Sequence, residues 1–194
     1  MSAFTHLDLT GFQQIDQFAW RDEQGTVMSL HFFNLRPDLP ASLTEPAALL
    51  AGLARHTAGA GAGLIDATIE PVDGVPAVRQ LLKVRHPQGH GQVFIGSYTV
   101  PRATCSTVLK LQAPEVGTTG MREAFIMAQL GPDRFYTPSP YAQDATGGLP
   151  YHWADHEQHD AQFPQHPLTL IRAGLRRLLP SARLDERFKA LPAF

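Results

Sequence analysis

Cysteine is nearly absent from this chain. Cys105 is the only one in 194 residues, which excludes an internal disulfide and fits a reducing compartment. An excess of one charge is also lacking. Sixteen Lys and Arg against 18 Asp and Glu leave a formal net charge of −2, so the composition offers nothing for a polyanion such as nucleic acid. Long apolar runs are missing as well. None approaches the roughly 18 residues that span a bilayer as a helix. The opening MSAFTHLDLTGFQQIDQF has neither the basic region nor the apolar core of a signal peptide. These absences lead us to expect a cytoplasmic protein with no nucleic-acid partner and no membrane association.

What is present suffices for a full core. The chain is 43% hydrophobic and 18% charged, unlike disordered or fibrous sequences, and its length suits one domain, or one domain with an appendage. In TVMSLHFF (26–33), Met28, Leu30 and Phe32 alternate with Val27, Ser29, His31 and Phe33, which predicts a strand with two distinct faces. DQFAW (16–20) reads as its hairpin partner, with Gly25 in the turn. A helix is expected from near Thr44, with Leu49, Leu50, Leu53 and Thr57 at helical spacing, and the glycines of TAGAGAG end it. Strands at 64–72 and 75–85 flank Asp73-Gly74, a strong hairpin signal. Two more follow at 91–100 and 104–112. Short turns between all four make an antiparallel meander, because parallel neighbours need long crossovers. A second helix, 117–130, is expected to bury Ala124, Met127 and Ala128, with Phe125 nearby. After a proline-rich loop (131–150), Leu168, Ile171, Leu175 and Leu178 mark an amphipathic helix over 167–179, and Leu184, Phe188 and Leu191 a last short helical face.

The fold class is therefore α+β: an antiparallel β-sheet, made of an N-terminal hairpin plus a four-stranded meander, with helices packed on it and a C-terminal helical extension. Residues 1–130 form the α+β domain. Residues 131–194, the proline-rich loop and C-terminal helices, pack on that same domain. The element order and the run VDGVPAVRQ…GSYTVPRATCSTVLKLQAPE…TTGMREA resemble the PsbP-like fold family over about residues 16–130. That family includes photosystem extrinsic subunits and many bacterial relatives. The resemblance implies a largely non-enzymatic role in binding, assembly or chaperoning, with no shared catalytic residues and no cofactor. The expectation is a binding or accessory protein with a protein partner.

The stretch YHWADHEQHDAQFPQHP (151–167) carries four of the nine histidines. If 152–160 is helical, His152, His156 and His159 lie on one face at i, i+4 and i+7 beside Asp155, a set of donors suited to zinc. This is the alternative reading, a metal-dependent enzyme. HExxH is absent, since in His152-Trp153-Ala154-Asp155-His156 Trp153 stands where that motif has its Glu and the metalloprotease base is missing, and we favour a polar segment leading into the C-terminal helix. His166 is expected to cap that helix, with Pro167 in its first turn. Phe135, Tyr136, Tyr141, Tyr151 and Trp153 place five aromatics within nineteen residues, interleaved with prolines, over the loop and its end. Such a loop either packs back on the sheet or lines a ligand or partner groove. GAGAG (59–63) follows a helix and precedes a strand, the reverse of a phosphate loop. Cys105 shares an apolar strand face and is expected to be buried. Arg122 and Glu123 are expected in a solvated first turn, and Arg172, Arg176 and Arg177 on a solvated helix face.

Overall fold

Asp73 and Gly74 both take positive φ, 48° and 78°. That is the geometry of a two-residue hairpin turn whose twist matches its strands, and Asp and Gly are the residues that tolerate it. Val72 faces Val75 across the turn. The rest of the meander grows from this hairpin.

The computed structural model describes residues 2–194. The chain runs through β1 (Phe4–His6), β2 (Phe12–Asp16), β3 (Ala19–Asp22), β4 (Val27–Phe33), α1 (Pro46–Gly59), β5 (Gly63–Val72), β6 (Val75–Arg85), β7 (Gln92–Pro101) and β8 (Ser106–Pro114). It continues through α2 (Met121–Leu130), α3 (Pro132–Phe135), α4 (Pro167–Leu178), β9 (Arg183–Leu184) and α5 (Glu186–Lys189), with 3-10 turns at Trp153–Asp155, Glu157–Gln162 and Leu179–Ser181. The fold is α+β. Seven strands form one antiparallel sheet in the order β2-β3-β4-β8-β7-β6-β5, and β1 pairs with β9. The N-terminal strands and the meander thus share a sheet, joined where β4 meets β8. One detail differs from expectation: residues 16–20 are not a single strand. The chain turns at Asp16–Ala19, so β3 pairs with β4 and β2 adds an edge strand outside it.

Alternation decides which helix covers which face. Met28 and Leu30 of β4 stand opposite Leu111 and Leu109 of β8, and this face takes α4, whose Leu168, Ile171, Leu175 and Leu178 are all buried. Gly96 of β7 lets the helix close in. A Cβ there would stand 2.4 Å from Ile171 Cγ2 and 2.8 Å from Leu175 Cδ1. On the opposite face, Leu49 and Leu53 of α1 pack over Leu64, Ala67 and Val78. α1 covers only the β5 side, leaving the β7, β8 and β4 part of that face open.

The helix α2 departs from the expected pattern. It buries Arg122 and Ile126 and leaves Phe125 49% exposed. The reason is its partner. α2 packs on Phe135 and Ala154 of the following segment, not on the sheet, so the buried stripe is set by that small cluster. No helix among the described residues is long and apolar enough to cross a membrane.

Candidate functional site

Lys83 lies on β6 in phase with Leu81 and Ala77, both core positions. Its side chain is 1% exposed. A buried ammonium needs all three of its protons accepted. Asp155 supplies both carboxylate oxygens, at 2.8 and 2.6 Å from Nζ, and His152 Nε2 lies at 2.9 Å. Accepting from Lys83 makes Nδ1 the protonated nitrogen of a neutral His152, and Nδ1 faces Asp155 Oδ2 at 3.5 Å. Burial holds Lys83 below the usual lysine range, against the pull of Asp155. Burial likewise pushes His152 down to about 4. Gly63 makes room for this group, since a Cβ would stand 2.9 Å from Lys83 Cε and 2.8 Å from the Leu149 carbonyl.

A second buried cation continues the network. Arg122, fully buried, donates from Nε to the Ala154 carbonyl at 2.8 Å and from Nη2 to the His156 carbonyl at 2.9 Å. Arg122 and Arg172 both pair with Asp160 Oδ1 at 2.8 Å. Arg122 and Arg172 are therefore not solvated, contrary to the sequence reading. They hold the carbonyls and acids of the 3-10 turns, whose short hydrogen-bond pattern leaves backbone oxygens in need of donors. Arg176 does remain exposed, paired with Glu157.

The condition behind a three-histidine metal face is not met. His156 has extended backbone, φ −74° and ψ 139°, between two 3-10 turns. With about three residues per turn, i, i+4 and i+7 do not share a face. His152 bonds Lys83. His156 stacks on Trp153 with centroids 4.5 Å apart and meets the Tyr151 hydroxyl at 3.2 Å. His159 meets the Gln158 amide at 3.3 Å. The donors that do converge are Glu115, Glu123 and His166, whose ligand atoms all lie within 4.8 Å of one another. As expected, His166 caps α4, its Nδ1 accepting from Leu168 N at 3.2 Å.

The five loop aromatics do not share one groove. Phe135 is buried and stacks on His152 at 4.8 Å. Tyr136 is exposed. Trp153 is half-buried beside Phe135. Tyr141 docks the loop on β5, donating to Asp66 Oδ1 at 2.8 Å and accepting from Ala67 N at 3.0 Å. Tyr151 lines a cavity of about 320 Å³ with Gly63, Pro138 and Leu149, and the other four do not reach it.

A larger groove lies where α1 leaves the sheet uncovered. It measures about 460 Å³, and its walls are Phe33, Leu35, Leu39, Leu53, Leu82 and Val108. Gln80, Thr99 and Ser106 add hydroxyl and amide groups to its floor, and His56 stands at the α1 wall. Phe33 and Leu35 are 43% and 59% exposed at its rim. Sequence reading missed this groove because Leu35 sits among prolines in an unremarkable loop, while Val108 and Leu82 read simply as strand residues. The chain matches no protein-family model and no curated protein.

Proposed function

We propose that this is a non-enzymatic binding or accessory protein, acting in the cytoplasm, that holds an apolar segment of a protein partner in the groove between α1 and the open sheet face. The observation that carries this reading is the groove itself: about 460 Å³ with an apolar wall and a few polar groups on its floor. That volume falls within the roughly 300–1,000 Å³ of ligand sites, and the mix of lining is theirs too. Exposed Phe33 and Leu35 at the rim supply the apolar surface that a folded chain otherwise keeps in small patches. The resemblance of residues 16–130 to the PsbP-like family supports the same role, since it implies binding, assembly or chaperone-like work. Neither nucleic acid nor membrane is part of the proposal.

The test is binding of an environment-sensitive apolar dye, then of amphipathic peptides that displace it. The wild-type protein is expected to enhance dye emission saturably. Leu35→Glu and Val108→Glu, with circular dichroism unchanged, are expected to remove that signal. Dye binding that is indifferent to both substitutions would rule out this groove.

A further inference from the structure

We propose that Glu115, Glu123 and His166 form a binding site for a divalent transition-metal ion of zinc's character, which staples the end of β8 to the starts of α2 and α4. The site is separate from the groove and independent of its reading.

Three elements bring the donors together. Glu115 follows β8, and its carboxylate is fixed by the backbone amides of Gln92 and Gly120, each donating at 2.8 Å. Glu123 stands in the first turn of α2. His166 precedes α4 and packs edge-on against Phe94, with centroids 4.9 Å apart. The side chains of Glu115 and His166 are 5% and 9% exposed. Within this enclosure, His166 Nε2 and Glu123 Oε2 are buried with no hydrogen-bond partner. His166 Nε2 is 3.8 Å from Glu115 Oε1, beyond hydrogen-bond reach. Each such orphan carries a desolvation cost, and two within one small cluster call for a shared occupant.

Charge says what the occupant is. The nearby cations have their own acids: Lys83 pairs with Asp155, and Arg122 and Arg172 with Asp160. Among the described residues, no Lys or Arg lies within ion-pair distance of Glu115 or Glu123. Two carboxylates and an imidazole suit zinc and its neighbours better than magnesium or calcium, which prefer all-oxygen shells. Donors on a tetrahedral zinc at about 2.1 Å stand roughly 3.4 Å apart, so the group must contract by about an ångström. Glu123, whose Oε2 nothing holds, is the ligand free to move. Ligation through Nε2 puts the ring proton on Nδ1, so the hydrogen bond from Leu168 N is exchanged for the metal bond. A cavity of about 280 Å³, lined by Thr118, Met121, Gln165 and Leu170 with Glu115 and His166, gives the ion a way in.

The test is calorimetric zinc titration of chelator-stripped protein, with thermal unfolding followed in parallel. Wild type is expected to bind one zinc per chain and to melt higher with it. Glu123→Gln keeps the shape of its side chain and removes the charge. His166→Asn keeps a good N-cap for α4 and removes the imidazole. Each is expected to weaken binding by roughly tenfold to a hundredfold or more and to abolish the thermal gain. His156→Gln/His159→Gln is expected to bind like wild type. The proposal is overturned by the absence of saturable zinc binding, by binding that survives both Glu123→Gln and His166→Asn, or by binding lost in His156→Gln/His159→Gln.

Discussion

Lys83 shows how costly a single buried charge is to mismatch. Its three protons are matched by Asp155 and His152, so removing one partner leaves another charge stranded. Lys83→Ala is expected to cost about 3–5 kcal/mol in urea unfolding, because Asp155 stays buried and unpaired. Lys83→Met/Asp155→Leu is expected to recover at least half of that loss, since replacing both ions removes both desolvation costs. A double variant no more stable than Lys83→Ala would show that the network matters for shape rather than charge. His152 adds a pH dependence. Its ordinary value of 6.5 falls to about 4 in the folded chain, so at neutral pH the ring is neutral in both states. Below about pH 6.5 the unfolded chain takes up a proton that the folded chain refuses. Stability therefore drops as pH falls through that window and levels off below about 4, by on the order of 3 kcal/mol in all. His31, His156 and His159, each lowered by burial, act in the same direction. Urea midpoints measured between about pH 7.5 and 4.5 check this, and His152→Gln is expected to flatten most of the slope. Cys105, buried just before β8 rather than within the expected strand and with its thiol raised by burial, is expected to label far more slowly in the native protein than after unfolding.

At the scale of elements, legibility followed periodicity. The stripe of α4 and the alternation of β5 to β8 were readable, because one face of each meets a broad, uniform core. The helix α2 was not. Its partners are Phe135 and Ala154, which lie beyond its own end, and one of its two buried side chains is an arginine. No hydrophobic pattern announces a guanidinium held by the carbonyls of residues 154 and 156. The helical condition on 152–160 fails for a related reason: its histidines have i, i+4 spacing, but 3-10 turns broken at His156 send each ring to a different neighbour. Trp153 and Phe163 are only partly buried in the cluster, whereas Phe135 is 1% exposed. Phe135→Ala is accordingly expected to cost about 3–5 kcal/mol and Trp153→Ala clearly less, measured as shifts in denaturant midpoint. The reverse order would mean that Trp153 carries the docking of this segment.

The whole molecule is a seven-stranded antiparallel sheet with α4 across one face and α1 over part of the other. Partial cover is what creates the groove, and a ligand held there stabilises the folded chain as a unit. A groove ligand at about a hundred times its Kd is expected to add about 2.7 kcal/mol to unfolding. The accompanying rise in melting temperature should vanish in Leu35→Glu. Local patterns were enough to specify the antiparallel meander, the Asp73-Gly74 turn, the amphipathic α4 and its His166-Pro167 start, because hairpins, turns and caps are built from residues adjacent in the chain. The joining of β4 to β8, the burial of Lys83 against Asp155 and His152, and the meeting of Glu115, Glu123 and His166 were not. Lys83 and Asp155 are 72 residues apart, and nothing in their neighbours in the chain marks them as partners. Whether a charge is solvated or enclosed depends on what the folded chain lays over it, and that is a property of packing between distant segments rather than of sequence around the residue.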